Sequence, residues 1–417
     1  MTRRFPFSAT SALTALLLVA GSSSAQQDLE SRVSELERRN SELEGRLSAL
    51  ADEQEGLALA GLMPPAGESH YGLGPSASKV YESEGGVSIG GYGEWLYRTR
   101  NGMTPDTLDM LRVVLYVGYH FSPNWVFNSE LEWEHAGEEV GVEFATLDYL
   151  WREALNFRAG LVLVPMGFVN ELHEPTTLLG ATRGLVERQL LPSTWREPGV
   201  GVFGDAGPFS YRAYVIDGFD ATGFTAEGLR GGRQEGMEAL AEDLAVVGRL
   251  DWTATPGLLV GGSLYRGDAG QSQAGLGATG VTLAELHGEW RANGLWIRAL
   301  AARGEVDDVA ALNAAGGLTG AESVGEELAG AYVEAGYDLL DLFAPGSEQS
   351  LMPYARFETL DTQREVPAGF ASDPANDTEV TSFGLRYAPL RGLVIKAEFQ
   401  DFEDGADGMN VTAGYAF

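Results

Sequence analysis

Charged side chains of both signs are concentrated in one polar stretch of the chain, between Gly167 and Gly199. Acids and bases that face each other across a narrow aqueous gap create a transverse field, which favours polar solutes and ions. Arg196 and Glu197, at the end of the stretch, have an alternative role as side chains that pin it in place. The residues of the stretch expected at such a gap are Asn170, Glu171, Glu174, Arg183, Glu187, Arg188, Arg196 and Glu197.

Other residues of catalytic or metal-binding type form no comparable arrangement in the sequence. The five histidines are scattered without metal-ligand spacing, and the chain has no cysteine. His173, between Glu171 and Glu174, is the one candidate for a hydrolase site. Two glycine-rich stretches, 199–204 and 275–280, match the dinucleotide fingerprint but lack its strand–turn–helix context. We therefore predict no catalytic residue, no metal site and no cofactor, and we expect that the protein is not an enzyme.

The charge of the chain restricts its partners. The 417 residues include 28 basic and 60 acidic side chains, which give a formal net charge of −32. Nucleic-acid binding requires a basic surface, so nucleic acid is excluded as a partner. We expect the acidic external connections to bind divalent cations weakly, and through them the anionic lipopolysaccharide.

The amino terminus has the pattern of a secretory signal. Arg3 and Arg4 precede an apolar run from Phe5 to Ala20, and small residues follow at 23–25. This pattern predicts a signal peptide over residues 1–25, removed before Gln26. The apolar run is too short and too often interrupted by Ser and Thr for a membrane anchor.

A heptad pattern occupies residues 26–57. It predicts a periplasmic coiled coil, in which the core position of Asn40 would fix register and oligomeric state. We expect a homotrimer, with a dimer as the alternative, and a helix lying on the chain's own barrel as the alternative to a coiled coil. Residues 58–86, rich in Pro, Gly and Ser, are expected to be a linker. The seam consists of Leu29, Val33, Leu36, Asn40, Leu43, Leu47 and Leu50.

From residue 87 the hydrophobic pattern changes to a period of two, which is typical of strands. The final segment, Met409–Phe417, alternates in this way and ends on an aromatic residue, as the closing strand of an outer-membrane barrel does. The candidate strands are Val87–Arg100, Thr107–Phe121, Trp125–His135, Val142–Trp151, Asn156–Met166, Val200–Asp205, Phe209–Asp217, Leu244–Ala254, Leu258–Asp268, Val281–Ala292, Leu295–Glu305, Glu327–Leu339, Leu351–Asp361, Glu379–Ala388, Leu393–Phe402 and Met409–Phe417.

The connections between these strands tend to alternate between short turns and long polar loops. Examples of short turns are 122–124 and 206–208, and examples of long loops are 219–243 and 306–326. Short periplasmic turns and long external loops are characteristic of outer-membrane barrels. Residues 87–417 are therefore predicted to form an all-β, 16-stranded antiparallel transmembrane barrel in the bacterial outer membrane.

Alternation also predicts which charged side chains line the lumen of this barrel. The expected lumen-facing bases are Arg112, Arg158, Arg212, Arg249, Arg298, Arg356, Arg386 and Lys396. The expected lumen-facing acids are Glu130, Glu132, Glu134, Asp148, Asp251, Glu334, Glu358 and Glu398. Because the two sets nearly balance while the outer loops are acidic, we expect near-neutral or modestly cationic selectivity.

The stretch from Val164 to Gly204, with Pro165-Met-Gly167 at its start and Leu191-Pro-Ser-Thr-Trp-Arg-Glu-Pro near its end, resembles the phosphate-selective porin family (O/P), including its coiled-coil-bearing relatives. The resemblance implies a porin whose third loop folds into the barrel and narrows it. The lysine cluster that implies phosphate selectivity in that family has no counterpart in this loop.

The expected function is passive diffusion of small hydrophilic solutes or ions through a water-filled channel. The alternative is a structural tether, in which a plugged, non-conducting barrel is held to the cell wall through the coiled coil. The expected surroundings of the barrel are outer-membrane lipid and lipopolysaccharide.

Overall fold

The computed structural model describes residues 32–36, 38–43, 45–46, 68–83, 85–403 and 405–417. The chain divides into two compact units, residues 1–61 and residues 62–417. The described residues of the first unit are helical and exposed, and Glu35 pairs with Arg38 at 2.9 Å. Val33, Leu36 and Leu43 of the heptad seam lie on this helix, whereas Leu29, Leu47 and Leu50 lie outside the described residues. The coiled coil remains a prediction.

The second unit is a closed barrel of sixteen strands, in which each strand pairs antiparallel with its neighbours. This architecture confirms the predicted fold of residues 87–417. The strands are β1 (Gly86–Arg100), β2 (Met103–His120), β3 (Trp125–Glu134), β4 (Glu139–Arg152), β5 (Leu155–Leu163), β6 (Arg196–Ala206), β7 (Phe209–Asp217), β8 (Leu244–Trp252), β9 (Leu258–Asp268), β10 (Gly280–Ala292), β11 (Leu295–Val306), β12 (Glu327–Tyr337), β13 (Ser350–Glu365), β14 (Asp377–Leu390), β15 (Leu393–Phe402) and β16 (Gly408–Ala416).

The last strand closes the sheet against the first. β16 pairs with β1 from Tyr92↔Ala416 to Arg100↔Gly408. Beyond the strand, the Phe417 amide donates to the Gly91 carbonyl at 2.9 Å, and the Phe417 carbonyl accepts from the Gly91 amide at 3.0 Å. The aromatic carboxyl terminus is therefore part of the seam at which the barrel closes.

Several strand boundaries differ from the sequence prediction: β4 begins at Glu139, β5 ends at Leu163 and β13 ends at Glu365, and the starts of β2 and β6 change the adjacent connections. Residues 101–106 were expected to be a connection, but β2 begins at Met103 and a tight turn at Asn101 and Gly102 suffices. Gly102 has φ +74°, a left-handed conformation that glycine adopts without a steric penalty. Arg196 and Glu197 were assigned to the third loop, but they begin β6. The third loop is therefore residues 164–195.

Helices are short and lie outside the strands. The helix α1 (Lys79–Glu82) precedes β1, α2 (Val309–Gly316) lies between β11 and β12, and α3 (Leu339–Phe343) lies between β12 and β13. A single π-helical turn, Val186–Leu190, lies in the third loop. Among the residues that the structure describes, no helix has the length and apolar character needed to cross a membrane.

The outward face of the barrel is apolar and exposed, whereas the inward face is buried and carries charged side chains beside an apolar cluster. Exposed large apolar side chains include Trp95, Trp133, Leu147, Phe157, Val215, Leu264, Phe357, Phe383, Ile395 and Phe399. A surface of this kind is unfavourable in water and favourable in lipid, so the barrel spans a membrane. Both ends of the barrel chain lie at the end with the shorter turns, which we call the short-turn end. The opposite end is the long-loop end.

Candidate functional site: the third loop inside the lumen

The third loop folds into the lumen and is held there by bases of the barrel wall. These bases donate to backbone carbonyl oxygens of the loop, which would otherwise be buried without a partner. The bonds run from Arg249 to Gly167, from Arg386 to Thr176 at 3.1 Å, from Arg298 to Thr177 at 3.3 Å, from Lys396 to Gly180 at 2.8 Å, and from Arg356 to Thr182 at 3.2 Å. Five predicted lining bases thus bind the loop, and all five are buried.

Acidic side chains of β13 and β15 also bind the third loop. Glu358 accepts from the Val186 amide at 2.6 Å. Glu398 accepts from the Thr182 hydroxyl at 2.8 Å and from the Ala181 amide at 3.2 Å. The wall charges on β13 and β15 therefore satisfy both the donors and the acceptors of the loop backbone.

Asn170 joins the two ends of the loop. Its side-chain amide donates to the carbonyls of Val164 and Trp195, both at 2.7 Å, and its side-chain oxygen accepts from the Trp195 amide at 2.7 Å. The side chain is buried. Asn170 thus fixes the neck of the loop and does not face an open gap.

Glu187 anchors the π-helical turn of the loop. Its carboxylate accepts from the Tyr332 hydroxyl of β12 at 2.5 Å and from the Val169 amide at 2.5 Å. Burial raises the pKa of Glu187, while the Tyr332 and Val169 donors act in the opposite direction. The carboxylate is therefore a structural acceptor within the loop.

Glu171 links the loop to a charge network on β7, β8 and β10. Arg212 Nη2 donates to Glu171 and to Asp251, both at 2.9 Å. Asp251 also accepts from Arg249 at 2.9 Å and lies 2.8 Å from His287 Nε2. Several charges share partners in this network, so removal of one leaves another buried without compensation.

One charged pair, His173 with Glu130, joins the third loop to β3. His173 Nε2 lies 3.1 Å from the Glu130 carboxylate, and His173 Nδ1 lies 2.9 Å from the Asn170 carbonyl oxygen. Burial alone would lower the pKa of His173, but Glu130 raises it above its usual value. Both side chains are buried, so the candidate hydrolase residue is a packed ion-pair partner.

The remaining lining residues form pairs along the wall. Arg112 lies 3.2 Å from Glu132 and 3.1 Å from Glu134. Glu334 lies 3.8 Å from Arg298. These side chains point inward as alternation predicts, and they are paired with each other.

The segment 68–83, which we call the amino-terminal segment, lies inside the barrel beside the third loop. Glu174 of the loop accepts from the amides of Ser76 at 2.7 Å and Ala77 at 3.3 Å. Its second carboxylate oxygen has no hydrogen-bond partner among the described residues. Burial raises the pKa of Glu174 to about 7. The part of the expected linker from residue 68 onward is therefore folded against the loop.

The wall also binds the amino-terminal segment. The Tyr81 hydroxyl donates to Asp148 at 2.7 Å and accepts from Arg158 at 3.0 Å. Asn128 donates to the Ala77 carbonyl at 2.8 Å. Arg158, predicted to line the lumen, thus contacts this segment and not the third loop.

Three predicted constriction residues, Arg183, Glu187 and Arg188, line small interior cavities. A cavity of ≈ 20 Å³ lies between Arg183, Arg298 and Arg356, and a second of ≈ 10 Å³ lies beside Arg188. The second cavity is also lined by Arg98, Arg100, Arg183, Arg356 and Glu358. Each of the two cavities has about the volume that one water molecule needs. A groove of ≈ 810 Å³, by contrast, lies on the lipid-facing wall among residues such as Leu250, Leu264 and Leu286.

Arg196 and Glu197 lie at the edge of the third loop. Arg196 pairs with Glu143 at 2.9 Å and Glu235 at 3.0 Å. Glu197 accepts from Trp195 Nε1 at 3.1 Å and from the Gln234 amide at 2.9 Å. Both hold the start of β6 in place, which is the alternative role that the sequence left open for them.

Sequence reasoning missed the amino-terminal segment and His287. The segment has the composition of a linker, and its contact with Glu174 spans 98 residues of sequence. His287 is on the inward face of β10, two positions from Glu285, to which it lies at 2.8 Å. The alternation of residues along β10 could have predicted that His287 faces the lumen, like Glu285. In the described part of the chain, no group of three or more metal-ligating side chains has the geometry of a metal site.

Several solved porin structures have a fold similar to that of this barrel. It is similar to OmpF of Salmonella typhi, with a TM-score of 0.54 and 11% identity over 79% of this chain and 97% of that one. It is similar to the anion-selective porin of Comamonas acidovorans, with a TM-score of 0.51 and 10% identity over 80% of this chain and 100% of that one. The trimer form of Vibrio cholerae OmpT is similar with a TM-score of 0.50 and 12% identity, over 80% of this chain and 99% of that one. At these identities the likeness concerns the fold.

The sequence itself matches no protein-family model. An uncharacterised protein of Aquifex aeolicus is 36% identical over 369 residues, which cover 84% of this chain and 84% of that protein. The chain therefore belongs to the same family as this Aquifex aeolicus protein, and it has the fold of a porin-like outer-membrane β-barrel.

Proposed function

We propose that this protein is an outer-membrane channel for small hydrophilic solutes or ions, with the third loop as its constriction. The observation that carries the proposal is the set of five wall bases that donate to loop carbonyls and hold residues 164–195 inside the lumen. A barrel of sixteen strands is wide enough for an aqueous channel, so an inward loop is what sets the size of the passing solute.

The arginines beside the loop point to anions. Arg183 and Arg188 of the loop, with Arg98 and Arg100 of β1, line a cavity whose one acid is Glu358. With Arg356, the lining of this cavity contains five arginines and one acid, so the local potential is positive. This arrangement shifts our expectation from near-neutral or cationic selectivity toward anions. It also supports the resemblance to phosphate-selective porins despite the missing lysines.

Reversal potentials in asymmetric KCl test this selectivity. Anion preference in the parent protein, reduced in an Arg183→Gln, Arg188→Gln variant, is the expected result. Cation preference in both proteins would contradict the assignment. Arg364→Gln is a matched control, because this exposed arginine pairs with Glu327 at 3.3 Å and does not line the cavity.

Conductance of the purified protein in planar lipid bilayers tests the channel itself. Stepwise conductance supports a porin, and steps in groups of three support a homotrimer, the state named for the similar OmpT structure. A dimer would give groups of two. We propose that the predicted coiled coil of residues 26–57 contributes to this assembly in the periplasm.

The second candidate is the structural tether, a barrel that does not conduct and is held to the cell wall through its amino-terminal unit. The observation in its favour is the packing of the lumen, where the third loop and the amino-terminal segment lie together and the wall side chains around them are buried. Protein that inserts into bilayers but never conducts, under any voltage, would support the tether.

A further inference from the structure

We infer that the amino-terminal segment, residues 68–83, is a removable plug that closes the short-turn end of the lumen and opens the channel when it leaves. This inference rests on the proposed channel function. The third loop is joined to a strand at each of its ends, β5 and β6. The amino-terminal segment is joined to a barrel strand at its carboxyl end, and its other end continues along the chain toward the amino-terminal unit. Withdrawal therefore requires no break in the barrel.

The plug occupies the short-turn end, where it contacts several strands. His120, close to the turn after β2, has its Nε2 2.7 Å from the Val80 carbonyl oxygen. The Lys79 ammonium lies 6.0 Å from the centre of the Phe417 ring, at the seam of the barrel. Tyr71 packs edge-on against Phe203 of β6 at 4.9 Å between ring centres. The segment thus spans the wall from the closing seam to β6.

Part of the wall behind the plug consists of polar side chains. Asn128, Asp148 and Arg158 all bind the plug, and each has a group that water can hydrate in its place. The apolar contacts of the plug are with a small cluster of the wall, which consists of Tyr92, Val114, Tyr116, Phe144 and Leu163. Water can replace the polar bonds, so the free-energy cost of withdrawal comes mainly from this small cluster.

The plug and the third loop differ in how much apolar surface they bury. The plug buries Leu73, Ala77 and Val80. The third loop buries larger side chains and belongs to a continuous apolar cluster of the lumen through Met166, Phe168, Val186, Leu190, Leu191 and Trp195. Because apolar burial scales with area, the loop is held more strongly than the plug. The loop is the fixed constriction, and the plug is the part that moves.

An engineered disulfide tests this assignment directly. A Cβ atom at position 118 would lie 2.6 Å from the Cβ atom of Val80. A shift of about 1 Å brings the two to the Cβ–Cβ distance of a disulfide. The chain has no cysteine of its own, so Val80→Cys with Gly118→Cys gives one defined crosslink between plug and wall.

We expect the oxidised double variant to show the lowest conductance in planar bilayers, and the reductant to raise its open fraction several-fold. Gly118→Cys alone, under the same redox conditions, should not respond. A complementary variant, Asn128→Ala, removes the bond to Ala77 and should raise the open fraction without a reductant. Its control is Asn156→Ala, since Asn156 accepts from the Trp151 amide at 3.0 Å and does not bind the plug.

Two outcomes overturn the inference and are distinguishable. Equal stepwise conductance of the oxidised and reduced double variant shows that the segment does not close the channel, while the proposed channel function stands. Absence of conductance in the parent, in the reduced double variant and in Asn128→Ala overturns both the plug and the channel, and favours the tether.

Discussion

Replacement of Arg212 should destabilise the barrel strongly, because this side chain neutralises a carboxylate of the third loop and one of the wall. Arg212 is 4% exposed and donates to Glu171 and Asp251. Without it, Asp251 keeps Arg249 and His287, but Glu171 keeps only Arg249 at 3.8 Å. Removal of one partner from a buried ion pair costs about 3–5 kcal/mol, which is the loss in unfolding free energy expected for Arg212→Met.

Removal of the orphaned charge should recover part of this loss. In the double variant Arg212→Met, Glu171→Gln, no uncompensated carboxylate remains at position 171, so we expect a coupling energy of about 1–3 kcal/mol. Guanidinium unfolding of vesicle-reconstituted protein, followed by tryptophan fluorescence, gives the four free energies of the cycle. Arg303→Met is the control, because Arg303 is an exposed base whose ion pairs contribute about 1 kcal/mol or less. Additive losses, within about 0.5 kcal/mol, would refute the reasoning.

Three further predictions concern the loop, the plug and assembly. Tyr332→Phe removes the hydroxyl that donates to Glu187 and should lower the unfolding free energy by about 1.5–3 kcal/mol in the same assay; no change would contradict the anchoring role. Because the pKa of Glu174 is raised to about 7, the folded state binds a proton that the unfolded state has released at the same pH. The protonated side chain therefore contributes on the order of 3 kcal/mol to the free energy of unfolding below pH 4.5, and this contribution is lost as the pH rises through about 7. Glu174→Gln should flatten this dependence in denaturation midpoints compared between pH 4 and pH 8, and an identical slope in both proteins would count against it. Deletion of residues 26–57 should lower the temperature at which oligomers dissociate in detergent gels, and unchanged dissociation would exclude a role of this segment in assembly.

The strands were predictable because their pattern is local. Phe209–Asp217, Leu258–Asp268 and Leu393–Phe402 have the predicted bounds, since alternation holds along each and polar or glycine-rich turns bound them. The boundary at β2 was missed because residues 103–106 carry no apolar alternation, although they pair with β1 through Arg100↔Met103. Arg196 was misplaced for a related reason, since its pairing with Leu163 is a non-local property.

The sequence indicated which residues belong to the site, but not which groups they bind. Alternation placed Arg298 and Lys396 on the inward face, and loop length, together with the family resemblance, indicated residues 167–199 as the inward loop. The partners of these bases are backbone carbonyls of the loop, which every residue type carries and the sequence therefore does not mark. The plug was missed because Gly, Ser and Pro in residues 68–83 give no periodic pattern, and tertiary contacts alone order them.

A density map of the purified protein in lipid nanodiscs, at a resolution that shows side chains, would show directly whether the third loop lies inside the lumen. We expect a sixteen-stranded barrel whose lumen contains residues 164–195, with density joining Lys396 to the Gly180 carbonyl and Arg298 to the Thr177 carbonyl. We also expect residues 68–83 at the short-turn end in the closed state. A lumen open from end to end, with the third loop folded over the outer rim and the wall bases solvated, would contradict this expectation.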